Sequence, residues 1–212
     1  VVDWNCKKNM ITERKANQAK NKRTASPCVT KNRRKNMNKL MFNEEEAEII
    51  NKVDCGADER ILKFSILARE FSLIPLYLEH ENRNMLKFSA ESGWHVFCAY
   101  KRVFEIKDFV NRNAGITCGH ASRLIVVDVD NPREFKLWCQ ENAVLKRTLE
   151  TFTVKTGGKG HHLYYRYPES QTSYVCKSVK NEQGKVIFGI NGICGYVVAP
   201  GSIHPNGNMY FI

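Results

Sequence analysis

Apolar positions follow a helical spacing in the first half of the chain and come in short β-branched runs in the second. Asn43 is placed to cap a helix that begins Glu44-Glu45-Glu46, where acid in the first turn suits the helix dipole. Asp58 opens a second helix, on which Ile61, Leu62, Phe64, Ile66, Leu67 and Phe71 form a broad apolar face. Residues 73–78 read as a short strand and 107–111 as a helical stretch. Residues 114–118 and 124–128 read as neighbouring strands joined by a turn at 119–122. A helix over 132–141 follows, with Asn131 as cap, Pro132 at its first position, Glu134 closing a capping box, and Phe135, Leu137 and Trp138 as its apolar residues. Runs at 152–155, 163–166, 185–190 and 196–199 are strands, separated by turns at 157–160, 184 and 200–201. No repeat is present. Helices first and a strand-rich half after them predict an α+β or α/β sandwich built around the strand that ends in Asp128.

Charge alters this picture at one end only. The formal net charge is +11, yet residues 1–40 carry twelve Lys or Arg against Asp3 and Glu13, while residues 41–212 carry twenty-one against twenty. The basicity therefore belongs to a tail, and the remainder is close to neutral. Residues 1–42 are expected to be a basic, disordered extension and residues 43–212 the folded domain. The extension reads as an arm that touches phosphates or, more simply, as a solvated tail or translated sequence upstream of Met37 or Met41. Residues 208–212 resemble a strand that stops without a turn, which predicts a chain truncated at its C-terminus.

The eight cysteines contain no C-x-x-C pair, so the spacing argues against structural zinc. No signal peptide or membrane-spanning run is evident, and a reduced, soluble, cytoplasmic protein without membrane contact is expected.

Three segments carry candidate chemistry. In Leu124-Ile125-Val126-Val127-Asp128-Val129-Asp130-Asn131-Pro132, strand alternation puts Asp128 and Asp130 on one face. Two adjacent carboxylates at a buried strand end repel and lose hydration, and a divalent cation between them relieves both costs. Hard oxygen ligands suit Mg²⁺ or Mn²⁺. A polar strand end with a capped helix behind it is the competing reading, and it leaves the aspartates without a role. The loop lacks the glycine and closing glutamate of a calcium hand.

The second segment, Thr156-Gly157-Gly158-Lys159-Gly160-His161-His162-Leu163-Tyr164-Tyr165, is a glycine-rich hairpin. Its backbone N–H groups and Lys159 suit triphosphate oxygens, and His162 at the base of the strand can hydrogen-bond a phosphate. The spacing is not that of a P-loop, and an ordinary hairpin remains the competing reading. His161 and His162 point to opposite faces and cannot chelate one ion. The third segment runs from Gly192 to Gly207, where a buried strand enters a Pro-Gly turn that presents Ser202 and His204.

Taken in order, Asp128-Val129-Asp130, Gly160-His161-His162-Leu163-Tyr164 and Gly195 through Gly207 resemble the primase–polymerase family of the archaeo-eukaryotic primase superfamily. Residues 73–76 and 113–119 also look like its amino-terminal strands, and the resemblance covers about residues 57–212. It implies an RRM-like catalytic core, a mixed or antiparallel sheet flanked by helices. It also implies template-directed joining of nucleotides on DNA, within a plasmid, phage or mobile-element replication protein of a prokaryotic or virus-infected cell. Carried over by position, Asp128 and Asp130 hold Mg²⁺ or Mn²⁺ and His162 meets the phosphates of the incoming nucleotide. Lys159, Gly160 and Ser202 belong with the nucleotide pocket. Single-stranded or primer-template DNA and nucleoside triphosphates are the implied partners, with a helicase domain following in the full-length protein.

One departure stands out. The family places a third carboxylate about seven residues ahead of the tyrosine of its G-Y-V-V strand, and here that position is Gly189. Asn191 is the neutral substitute on the same face, and Glu182 lies across a turn. A catalytically inactive nucleic-acid-binding relative is therefore the alternative, and a metal-dependent nuclease a third reading.

Overall fold

The computed structural model describes residues 41–53, 56–78, 87–168 and 176–212. Of the extension expected over 1–42, residues 1–40 lie outside them, whereas Met41 and Phe42 pack against the core and move the boundary back. Helix α1 (Glu44–Asn51) starts as its sequence requires: the Glu46 N–H donates to Asn43 Oδ1 at 2.8 Å and the Asn43 N–H to Glu46 Oε2 at 3.0 Å. Helix α2 (Ala57–Glu70) begins one residue before Asp58, which sits in its first turn, with Gly56 as the cap. Phe64, Ile66 and Leu67 are buried along it, whereas Leu62 is exposed. Lys63 is completely buried among them, a placement that helical spacing alone does not announce.

The strands form two sheets, and every neighbouring pair is antiparallel. The smaller sheet has the order β1 (Leu73–Tyr77), β2 (Arg112–Thr117), β8 (Tyr196–Val198). A 3-10 turn (Trp94–Cys98) and the short helix α3 (Ile106–Phe109) lead from β1 towards β2. The larger sheet has the order β4 (Phe152–Lys155), β5 (His161–Arg166), β3 (Leu124–Val129), β7 (Val186–Asn191), β6 (Lys177–Lys180). The neighbouring strands expected at 114–118 and 124–128 are thus in different sheets. Gly119 at φ +110° and Arg123 at φ +49° turn the chain between them, leaving only the bridge of Gly119 to Leu124. Strand β6 carries no alternation to betray it: Lys-Ser-Val-Lys offers one apolar residue, as expected for a charged edge.

The order β3, α4 (Pro132–Glu141), α5 (Lys146–Leu149), β4, β5 is strand, helices, strand, strand, and β7 joins the free side of β3. This is an α+β fold, with the strand arrangement of an RRM-like core. Asn131 caps α4 through the Glu134 N–H at 3.3 Å. Glu134 does not complete a capping box, because its carboxylate accepts from Lys185 at 2.7 Å.

Strand β3 serves two cores. Its inner positions Leu124 and Val126 join Phe71, Phe152, Tyr164 and the smaller sheet in the main core. Its outer residue Val129 joins Leu163 and Phe188, and Phe135 and Trp138 of α4 meet the Phe188 ring edge-on at 5.2 and 4.8 Å. Leu137, about a third of a turn off that face, is exposed.

The Tyr164 ring packs against Phe152 and Phe71 at 5.3 and 6.0 Å, and its buried hydroxyl has no hydrogen-bond partner among the described residues. Tyr164→Phe removes that desolvated group and keeps the ring. We expect stability to rise by about 1–2 kcal/mol, read as a higher urea midpoint at unchanged slope.

Candidate active site

Antiparallel register assembles the site. Across the larger sheet, Val154 of β4, His162 of β5, Asp128 of β3, Gly189 of β7 and Ser178 of β6 stand in one row. Directly paired residues share a face, so His162 and Gly189 flank Asp128 on its own side. In the next row Tyr164, Val126 and Asn191 stand together, which places Asn191 diagonally from Asp128 on the same face. Asp130 follows just beyond the end of β3 and is exposed.

A cavity of about 240 Å³ opens beside Asp128. Asp128, Asp130, His162 and Asn191 line it from the larger sheet, and Tyr196, Val197 and Val198 from the smaller one. Thr156 and Gly158 of the hairpin and His204 and Tyr210 of the C-terminal segment complete it, with Lys87 at the same opening.

Burial and the repulsion of Asp130 push the Asp128 carboxyl up to about 6, against the downward pull of Lys87. His162 is 4 % exposed, and its Nε2 lies 3.5 Å from Asp128 Oδ1. Burial, with Lys87 and His161 adding positive charge, holds its imidazole down to about 3, so the ring is neutral at ordinary pH. Its buried Nδ1 has no hydrogen-bond partner among the described residues.

The Tyr210 ring lies between the His162 and His204 rings at 5.7 and 5.9 Å. Burial and the two aspartates push its phenol well above the usual range. His204 Nδ1 accepts from the Asn206 N–H at 3.2 Å, so the neutral ring carries its proton on Nε2, beside Gly158. Tyr210 and Lys87 were not singled out by the sequence, and His204 only as a polar group on a turn. Nothing in spacing brings a segment from eighty residues downstream to the end of β3.

The hairpin glycines are needed for close approach. A Cβ on Gly160 would lie 2.4 Å from the Val129 carbonyl oxygen, and one on Gly157 would lie 2.4 Å from His204 Cβ. The Gly160 N–H donates to Thr156 Oγ1 at 2.9 Å, and the Gly157 carbonyl accepts from the Asn206 and Asn208 amides at 2.8 and 3.1 Å. Gly160→Ala forces the hairpin off β3, because the obstructing atom is backbone. A fall in stability of about 2–3 kcal/mol by urea unfolding is expected.

Of the residues named from sequence, Asp128, Asp130, His162 and Asn191 come together, with Gly160 packed behind them. Lys159, at φ +72°, faces a neighbouring cavity across the hairpin. Ser202 is completely buried away from both: its hydroxyl accepts from the Ala114 N–H at 3.1 Å and donates to the Ala114 carbonyl at 3.2 Å, tying the C-terminal segment to β2. Glu182 lies in the exposed turn between β6 and β7.

Among the described residues no group of three His, Cys, Asp or Glu is placed to hold a metal ion. The two carboxylates and the Asn191 amide oxygen still fit a hard cation that draws its remaining ligands from a substrate. Mg²⁺ is commonly held by one or two carboxylates together with phosphate oxygens. No helix among the described residues is long and apolar enough to cross a membrane.

No curated protein matches the chain. The family model for the N-terminal domain of bifunctional DNA primase/polymerases, Prim-Pol, matches residues 68–212, from the end of α2 through both sheets and every residue of the site. The chain belongs to the Prim-Pol family.

Proposed function

We propose that this domain joins nucleoside triphosphates on a DNA template, with Asp128 and Asp130 holding Mg²⁺ or Mn²⁺ and Asn191 standing where a third carboxylate would bear on the same site. The observation that carries the reading is the register-paired His162 and Asp128 lining one cavity with Asp130 and Asn191, with Gly189 beside Asp128 in the sheet. When bound, the cation offsets charge on the phosphates and on the oxygens that exchange at the transferred phosphorus. The chain's own groups do the rest. Neutral His162 holds its Nε2 beside Asp128 Oδ1 in the cavity wall, and His204, whose proton sits on Nε2, lines the same cavity. Thr156 and Gly158 bring the hairpin backbone to the same space. The closed packing of Gly157 and Gly160 keeps these donors at fixed distances, which is what transition-state stabilisation by dipoles demands.

Gly189 favours a second reading, a relative that binds nucleic acid without turning over. Labelled-nucleotide incorporation on a single-stranded template in Mn²⁺, with and without an annealed primer, separates the two. Incorporation that depends on Asp128 supports the polymerase, and incorporation without a primer adds priming. Silence together with salt-sensitive DNA binding supports the second reading.

A further inference from the structure

A second cavity, of about 520 Å³, lies on the other side of the glycine hairpin, and Thr156 lines both. Its charged lining is Arg60 of α2, Lys155 at the end of β4 and Lys159 of the hairpin, with no Asp or Glu. None of these three cations has an ion-pair partner among the described residues. Behind the wall formed by Gly201 and Met209 lies Lys63, 0 % exposed, where a Cβ on Gly201 would come within 2.9 Å of its Cδ. Its Nζ donates to the Lys52 carbonyl and lies 3.6 Å from Met209 Sδ, and no carboxylate among the described residues pairs with it. Three formal positive charges thus line one cavity without a negative one, and a fourth lies behind its wall. Like charges so placed repel, and an anion among the three lowers their energy. Met209 and Phe211 add an apolar wall suited to a base.

We propose that this cavity binds a second nucleotide phosphate, separate from the one at Asp128. The proposal rests on the nucleotide-joining reading above for the kind of anion, and on the unpaired cations for the site itself. That phosphate comes either from a nucleic-acid strand or from a free nucleotide. The hairpin between the cavities makes the two sites back-to-back neighbours with a shared wall.

The test uses the full chain and a variant combining Arg60→Gln, Lys155→Gln and Lys159→Gln. Binding of a labelled oligo-dT and of dTTP is titrated over a range of salt. For a strand phosphate, oligonucleotide affinity falls at least about tenfold and the salt slope falls by about two, from about 0.7 for each lost contact. For a free nucleotide, dTTP stoichiometry falls from two to one while oligonucleotide binding holds. The basic residues 1–40 are the same in both proteins, so the difference reports the cavity. Lys155→Gln with Lys159→Gln, both exposed, gives a milder variant with smaller changes in the same direction, should the triple variant fail to fold. Unchanged affinity, slope and stoichiometry overturn the proposal. Incorporation measured in parallel keeps the two ideas apart: an inactive wild type that still loses binding with the cations overturns the polymerase and leaves the phosphate site standing.

Discussion

Asp128→Asn is expected to abolish nucleotide incorporation, by on the order of 10³-fold or more, while making the metal-free protein more stable. The activity loss follows from removing a charge aimed at the reacting phosphates, where single stabilising groups carry effects of that size. The stability gain has the opposite origin. Folding raises this carboxyl from 3.8 to about 6, so the folded state binds a proton more tightly than the unfolded chain. The ionised form therefore costs stability above about pH 6, and the cost vanishes as pH falls towards 4. At about 1.4 kcal/mol for each pH unit, and allowing for the one-third exposure of the side chain, the cost at neutral pH is about 2 kcal/mol. His162 works the other way. Its folded value lies below 6.5, so the stability it contributes is complete above pH 6.5 and is lost as pH falls towards 3. In the wild type the two trends offset each other between about pH 4 and 6. In Asp128→Asn only the histidine trend remains, and thermal melts should show steeper acid destabilisation. A variant that stays active, or melts below the wild type at pH 7.5, would remove Asp128 from this role.

Gly189→Asp is the second large effect, and it runs towards function. A Cβ at Gly189 meets only Asp128 Cβ, at 3.9 Å, and the backbone there is not left-handed. An aspartate can thus enter beside Asp128 without moving the strand. A third carboxylate should raise Mn²⁺ affinity by about 10–100-fold, the range by which ligand-shell changes shift metal sites. Without metal it adds one more negative charge to a pair that already repels, and stability should fall by about 1–2 kcal/mol, to be regained on adding Mn²⁺. Calorimetric titration with Mn²⁺, with melts in its presence and absence, reads both. Affinity equal to that of wild type would mean that Gly189 does not face the ion.

Local chemistry made much of this legible in the sequence. Asn43 and Asn131 announced their helices because a cap acts within three residues. Asp128 and Asp130 line one cavity, and their shared side was legible because strand alternation is also local. The sequence missed relations that depend on how segments meet. β2 and β3 parted into two sheets through two left-handed residues, and β6 forms because β7 offers an edge. Lys159 has the charge expected of a phosphate ligand, yet the hairpin's handedness turns it to the outer cavity. Ser202, read as part of the nucleotide pocket, instead fastens a segment to β2. In each case the residue type is right for polar contact, and only the register of distant chain decides which contact it makes.

The Asn51 amide accepts from the Ile212 N–H at 2.8 Å and donates to the Ile212 carbonyl at 2.9 Å, across 161 residues of sequence. The segment just before Ile212 also supplies His204 and Tyr210 to the cavity and pairs Phe211 with Lys155. Emerging from a ribosome, α1 and β4 meet their earlier neighbours first and gain these contacts only once this stretch has been made. The wall that His204 and Tyr210 supply therefore closes only after the strands of both sheets have been synthesised.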